Sequence, residues 1–343
     1  MSSKLHAPII VAAMIAVGIP SAVADEVGDF YRGKTLTVIV GYAPGGGFDQ
    51  YARLVSTYLP RHLPGNPTAI VQNMPGAASV KATQYVLKVA PKDGTVIGIP
   101  NHNLFFDQVL ERGKLGFDMT ELAWLGRLGT RLSVGIVAAG TGVTSIADAK
   151  QKTITMAAVG ATGGAVMIPA TFNNLMGTKF KTVTGYSGQT EMYLALDRGE
   201  VDGMATAVWE DLKSGAQMEW MKTKRMNVLY VVASERSRDL PDVPALPELA
   251  QNADHQKILE LLTAADVIGR AFYVAPDIAP DKLLALRSAF MAMTKDADML
   301  AEAAKRNVEI DPWPGQKLAA FLKQVDATPA PLVDQLRGAV AKQ

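Results

Sequence analysis

Three consecutive glycines, Gly45, Gly46 and Gly47, stand between an apolar β-branched run over residues 36–40 and a helical pattern of Tyr51, Leu54, Val55, Tyr58 and Leu59. Residues of this type at this junction can hold an anion. Glycine lets backbone N–H groups approach a ligand with no Cβ in the way, and Pro44 stiffens the turn just ahead of them. Those N–H groups would lie at the positive end of the helix macrodipole, where a carboxylate or phosphate is stabilised. A dinucleotide is disfavoured: Gln50 stands where the third fingerprint glycine belongs, and the next apolar run, residues 69–73, ends without an acidic residue. No Gly-Lys-Ser/Thr follows the turn, which excludes a P-loop. Taken alone, the motif is equally a tight strand-to-helix turn with no ligand.

The chemistry recurs downstream. A second apolar run, residues 154–159, leads into Gly160, Ala161, Thr162, Gly163 and Gly164 and then a candidate helix, and a third ends in Gly185, Tyr186, Ser187 and Gly188. Strand-like runs at 36–40, 69–73, 95–99, 133–137, 154–159, 182–184, 201–205 and 228–232 alternate with helical stretches, which predicts α/β architecture with parallel sheets. Glycine loops at the carboxyl ends of parallel strands in each half would form a cleft gripping one small anion from both sides. A proline-rich loop covers 240–247. Beyond Ala279 the chain reads as helical, starting at Pro280 with Leu283, Leu284, Leu286, Phe290 and Met293 on one apolar face.

Residues 1–24 carry one early lysine, an apolar run over 7–17 and then Ala22-Val23-Ala24, which reads as a secretory signal peptide cleaved before Asp25. Pro8, Gly18 and Pro20 keep that apolar stretch well below the ~20 residues a membrane span needs. There is no cysteine, so neither a disulfide nor a lipidated N-terminus contributes. Basic and acidic residues balance once Lys4 is removed, and neither a basic stripe for nucleic acid nor a polybasic membrane tail is present.

The residues Phe30-Tyr31-x-Gly33-Lys34-Thr35, then Val40-Gly41-x-x-Pro44-Gly45-Gly46-Gly47-x-Asp49-x-x-Ala52-Arg53, together resemble the N-terminal signature of the substrate-binding proteins of tripartite tricarboxylate transporters, the TctC or Bug family. The likeness continues through Gln72-Asn73-x-Pro75-Gly76-Ala77, Ala90-Pro91-x-Asp93-Gly94, the 160–164 loop and Ser234-x-Arg236-x-x-x-Leu240-Pro241-x-Val243-Pro244. Ala78 and Ser79 depart from it, standing where the family often continues with glycines, as does Gln189 after Tyr186-Ser187-Gly188.

The resemblance implies a periplasmic, type II-like binding protein of two α/β domains, with a ligand cleft between them and two crossing hinge strands at 133–137 and 228–232. Domain 1 would comprise residues 25–136 and 234–343, and domain 2 residues 137–233. It further implies a small organic carboxylate as ligand, held by backbone N–H groups of the loop Ala43, Pro44, Gly45, Gly46 and Gly47, in which Pro44 has no N–H of its own, with Asp49, and of Ala161, Thr162, Gly163 and Gly164, partly through waters. The partner would be the permease subunits of a tripartite transporter or, alternatively, a sensor. A monomer without cofactor or metal is expected.

Such a site needs no arginine, because fixed N–H dipoles and a bridging water costing at most ~2 kcal/mol can hold a carboxylate. Asp49 would repel a carboxylate ligand, so it belongs to the first helical turn, accepting N–H groups with Arg53 as its i,i+4 partner. Asn73, Asn101 and Ser187 end strands or loops and would wall the cleft, with His102 as a polar rim residue. Arg127 and Arg131 flank the first hinge, either reaching the ligand's far end or forming a structural salt bridge. The alternative function is an exported enzyme using the glycine loops as an oxyanion site. Ser187 lacks a G-x-S-x-G frame, however, and no tuned acid/base pair is legible.

Overall fold

The computed structural model describes residues 21–159, 163–186, 188–214, 217–306 and 308–341. In chain order they form α1 (Ser21–Tyr31), β1 (Thr35–Val40), α2 (Gly47–His62), β2 (Thr68–Asn73), α3 (Val80–Lys88), β3 (Val96–Ile99), α4 (Leu104–Leu110), β4 (Ala123–Arg127) and β5 (Ser133–Ala138). Then come β6 (Thr153–Ala157), α5 (Gly164–Met176), β7 (Lys179–Val183), α6 (Gln189–Asp197), β8 (Gly203–Val208), α7 (Trp209–Ser214), α8 (Met218–Lys222) and β9 (Met226–Val232). The chain finishes with α9 (Ala253–Ile268), β10 (Ala271–Val274), α10 (Pro280–Met293), α11 (Ala297–Lys305), β11 (Trp313–Pro314), α12 (Gly315–Asp326) and α13 (Ala330–Ala341).

Two sheets result, one ordered β11-β4-β10-β3-β1-β2 and the other β7-β6-β8-β5-β9. β1 runs parallel to both β2 and β3, and its Val38, Ile39 and Val40 are buried, as a central parallel strand covered on both faces requires. β6 is likewise parallel to β7 and β8. The sheets are nonetheless mixed, not parallel throughout: β10 is antiparallel to β3 and β4, and β5 to β8 and β9. The cause is connectivity. The chain leaves the first sheet through residues 128–132 directly into β5 of the second, and returns through α9 into β10, which therefore enters against its neighbours. The strands expected to cross between halves, β5 and β9, are neighbours within the second sheet; β5 is the strand the outgoing connection enters, and β9 is the last strand before the chain returns through α9.

Helices α2 and α10 cover one face of the first sheet, with Leu54, Val55, Leu286 and Phe290 in a shared core. Leu284 is 48% exposed, contrary to the expected apolar face, because only Leu283, Leu286, Phe290 and Met293 recur at spacings of three and four. On the opposite face one continuous core joins Ile39 and Trp124 of the first sheet, Ile258 to Ile268 of α9, and Met156 and Tyr230 of the second sheet. A third core lies beneath α6, α7 and α8 on the far side of the second sheet. Among the described residues no helix is long and apolar enough to cross a membrane.

Candidate functional site

The glycine loop is exposed at the end of β1, and its shape is held from beneath. Gly45 takes φ +89°, the left-handed region that favours glycine, and thereby presents its amide to the Asp49 carboxylate at 2.9 Å. Asp49 is 1% exposed and also accepts from Arg53 Nε at 2.7 Å, from Arg53 Nη2 at 3.2 Å and from Asn73 Nδ2 at 3.0 Å. Asn73 Nδ2 reaches the Tyr42 carbonyl as well, at 2.9 Å, tying the end of β2 to the root of the loop. Burial pushes the Asp49 carboxyl up, but the hydrogen bonds from Arg53, the Gly45 amide and Asn73 outweigh it and hold it below the usual carboxylate range. Asp49 and Asn73 thus direct their polar groups into the loop's own scaffold, and the Gly45 amide is spent on that scaffold too.

What remains for a ligand is the start of α2. Its N-cap, Gly46, has no side chain to satisfy the amides, and the first helical hydrogen bond runs from the Gln50 amide to the Gly46 carbonyl. The amides of the turn before Gln50 have no intrahelical acceptor, so the exposed first turn presents N–H groups and the dipole's positive end to solvent. Gly46 itself has φ −77°, and a Cβ there would meet nothing closer than the Ala43 carbonyl at 4.0 Å. Its glycine is therefore not demanded by the backbone.

Beside this turn lies a guanidinium that the sequence reading missed. Arg270, immediately before β10, sits with its Cζ 4.2 Å from the centre of the Phe48 ring, and a Cβ on Gly47 would stand 3.5 Å from its Nη2. Phe48 in turn stacks on Tyr42, with centroids 4.8 Å apart, and on His102 at 5.7 Å. His102 is 7% exposed, which corrects its reading as a rim residue. Burial, followed by the Arg270 and Arg131 charges, holds its imidazole well below the usual histidine range, so it is neutral. Nδ1 then accepts from Arg270 Nη1 at 3.2 Å, while the ring's other nitrogen donates to the Gly269 carbonyl. The sequence reading placed no arginine here, and the structure sets a formal cation beside the glycine turn. The available signal was one charge between two apolar runs, Val267-Ile268 and Ala271-Phe272-Tyr273-Val274, which marks a buried charge with a task.

Asn101, 7% exposed, closes a local turn by accepting from the Asn103 amide at 2.9 Å, and its side chain also bonds Tyr42. Arg127 is structural. Its Nη2 meets Asp311 Oδ2 at 2.5 Å, Nη1 donates to the Val267 carbonyl at 2.9 Å, and the group lies 4.3 Å over Trp313.

In the second half, Gly163 at φ +90° caps α5, and Gly164 packs so tightly on β8 that a Cβ would lie 3.2 Å from Thr206. Ala161, Thr162 and Ser187 lie outside the described residues. Near α5, Gln189 Nε2 donates to Tyr193 Oη at 3.1 Å and to the Thr206 carbonyl at 3.3 Å, while Tyr193 Oη donates to Asp211 and accepts from the Val208 amide, both at 3.1 Å. The two halves meet where Glu210 of α7 hydrogen-bonds Glu309, whose carbonyl accepts from Tyr51 Oη at 2.7 Å. Burial, then the hydrogen bond and charge of Glu210, push the Glu309 carboxyl well above its usual range.

Residues 52–336 match the family model described as the tripartite tricarboxylate transporter family receptor. Among solved structures, a TctC solute-binding protein from Polaromonas is 18% identical, with 91% of this chain and all of that one aligned at a TM-score of 0.71. MatC from Rhodopseudomonas palustris, with bound malate, is also 18% identical, over 90% of this chain and 99% of its own, at 0.53. An R. palustris protein with adipate is 17% identical, over 89% and 97%, at 0.56. These similarities carry the two-domain fold. The family match supplies the class: periplasmic solute-binding receptors, not enzymes, that bind small organic carboxylates and work with tripartite transporters. With the uncapped glycine turn after β1 and the mixed two-sheet fold, the match over most of the chain means that this protein belongs to the tripartite tricarboxylate transporter receptor family.

Proposed function

We propose that this protein is an exported, monomeric receptor that captures a small organic carboxylate between its two sheets and delivers it to the permease subunits of a tripartite tricarboxylate-type transporter. The observation that carries the reading is the uncapped first turn of α2 beneath the exposed loop 43–47, pinned from below by Asp49 and Asn73. A rigid loop with unsatisfied amides is preorganised for an anion, so little ordering cost opposes binding. Gly163 and Gly164, with their sequence neighbours Ala161 and Thr162, would supply the opposing wall from the second sheet, and Asn101 and Ser187 its flanks. Malate and adipate in two structures of the same fold are both organic carboxylates, which favours that class here.

On this reading residues 1–24 are the leader, residues 25–136 with 234–343 form one body, and 137–233 form the other. Sheet membership supports a division of this kind, with β1 to β4, β10 and β11 in one sheet and β5 to β9 in the other.

The test is a thermal-shift screen of the mature protein against mono-, di- and tricarboxylates and aromatic acids. A ligand at ~100 times its Kd adds about 2.7 kcal/mol, which at ~2–4 °C per kcal/mol gives a rise of several degrees. Gly46→Val should fold normally, because its φ is ordinary and its Cβ position open, while the branched side chain covers the amides and abolishes the shift. No shift with any carboxylate, alongside one with a sugar or an amine, rejects the reading. A shift that survives in folded Gly46→Val makes the glycine turn merely structural.

A further inference from the structure

We propose that Arg270 is a direct ligand-recognition residue, whose Nε–Nη2 edge takes one carboxylate group of the solute side-on together with the amides of the first turn of α2, and that His102 is its positioning residue. This deepens the receptor reading and rests on it. The argument begins with an inventory of the guanidinium. Among the described residues its single hydrogen bond is from Nη1 to His102 Nδ1, and no carboxylate forms a salt bridge with it. Its Nε is buried and without a partner. A buried charged donor left unmade is costly, so a group in this condition is waiting for an acceptor.

The geometry says which edge is available. Nη1 is occupied by histidine, and Phe48 covers a face. Nε and Nη2, whose N–H bonds point the same way, are the two atoms nearest the Cβ position of Gly47, at 4.0 and 3.5 Å. That edge matches the two oxygens of a planar carboxylate. It also lies alongside amides that seek the same anion. Asp266 acts on Arg270 through charge without a salt bridge, and its own hydrogen bond comes from Ser133. Among the described residues no carboxylate occupies the Nε–Nη2 edge, which leaves that edge to the solute.

His102 makes the arrangement rigid. The Gly269 carbonyl occupies one ring nitrogen, so the other is an acceptor aimed at Nη1, and stacking on Phe48 fixes the ring plane. Gly47 completes the design, since any side chain there would stand in van der Waals contact with Nη2 and fill the space at the open edge.

The experiment is calorimetric titration of the full mature chain and its variants with malate, adipate and benzoate, with dimethyl adipate as the neutral control. Arg270→Lys and Arg270→Gln should weaken the carboxylate that wild type binds by roughly 10- to 150-fold, the range for losing a charge-assisted hydrogen bond. Gly47→Ala, which keeps a helix-compatible backbone, should weaken it about tenfold through the methyl at the edge. His102→Gln, which retains an acceptor for Nη1 and a donor for Gly269, should stay within about threefold. His102→Ala should lose affinity alone yet add nothing in the Arg270→Gln background, because contacts acting through one group are not additive. Carboxylate binding by wild type that is unchanged in folded Arg270→Lys and Gly47→Ala, or equal affinity for the dimethyl ester, overturns the role of Arg270 and leaves the receptor reading intact. Wild-type binding to none of the three acids, together with no thermal shift for any carboxylate of the wider screen, overturns both. Should Arg270→Gln fail to fold, Arg270→Lys and Gly47→Ala decide.

Discussion

Replacing Asp49 by asparagine tests whether the loop's shape is held by one carboxylate. The side chain is 1% exposed and receives four N–H donors: the Gly45 amide, two from Arg53 and one from Asn73. Asparagine keeps the volume, but it replaces one acceptor oxygen by an NH2 that must face one of these donors. The Arg53 side chain is half exposed and can turn to water, so its share is at most about 1 kcal/mol. The Gly45 amide and Asn73 Nδ2 lose hydrogen bonds to a charged acceptor, about 1.5–3 kcal/mol each if fully lost, and one of the two can be retained by the remaining oxygen. The expected destabilisation is about 3 kcal/mol, or a melting temperature lower by roughly 6–12 °C at ~2–4 °C per kcal/mol. The acid limb should change as well. With its folded value held below the usual range, Asp49 contributes stability that is present above that range and is lost as pH falls through the folded value, so asparagine should flatten the loss of stability on acidification. Scanning calorimetry between pH 3 and 7, with carboxylate titration at neutral pH, measures both. A variant melting within about a degree of wild type at neutral pH and binding normally would refute the view that this carboxylate holds the loop.

Ala78 occupies φ +49° between Ala77 at +45° and Ser79 at +80°, three non-glycine residues in the left-handed region. Ala78→Gly should raise stability by about 0.5–1 kcal/mol, the strain of roughly 1–2 kcal/mol relieved less the extra entropy of glycine in the unfolded chain. A denaturant midpoint that falls would contradict it. Glu309, whose carboxyl is pushed up to about 8, binds its proton more tightly folded than unfolded, so its contribution is present below the ordinary carboxylate range and is lost as pH rises through about 8. Glu309→Gln should therefore hold more of its stability between pH 6 and 9 than wild type; parallel stability curves for the two proteins would refute the raised Glu309 carboxyl.

The sequence alone determined the local chemistry. The β-branched run of β1, the three glycines and the apolar face of α2 are written in consecutive residues, so the strand, the turn and the helix were all legible, and so was the Asp49–Arg53 pair, four residues apart on one helix. The motifs that resemble the receptor family were legible for the same reason, being contiguous. Tertiary structure decided what depends on meeting across the chain. β4 and β10 are four or five residues long and carry no periodic signal, and they become strands only because each completes the other's hydrogen-bond ladder between distant segments. That pairing made the first sheet mixed and set Arg270 beside Phe48 and His102. Likewise Asn73 reads in one dimension as a strand end that would wall the cleft, and in three it supports the glycine loop. Backbone geometry and amphipathic periodicity act within a few residues of each other, whereas desolvation and charge balance act through space, so a buried guanidinium acquires its meaning only when the fold brings its neighbours to it.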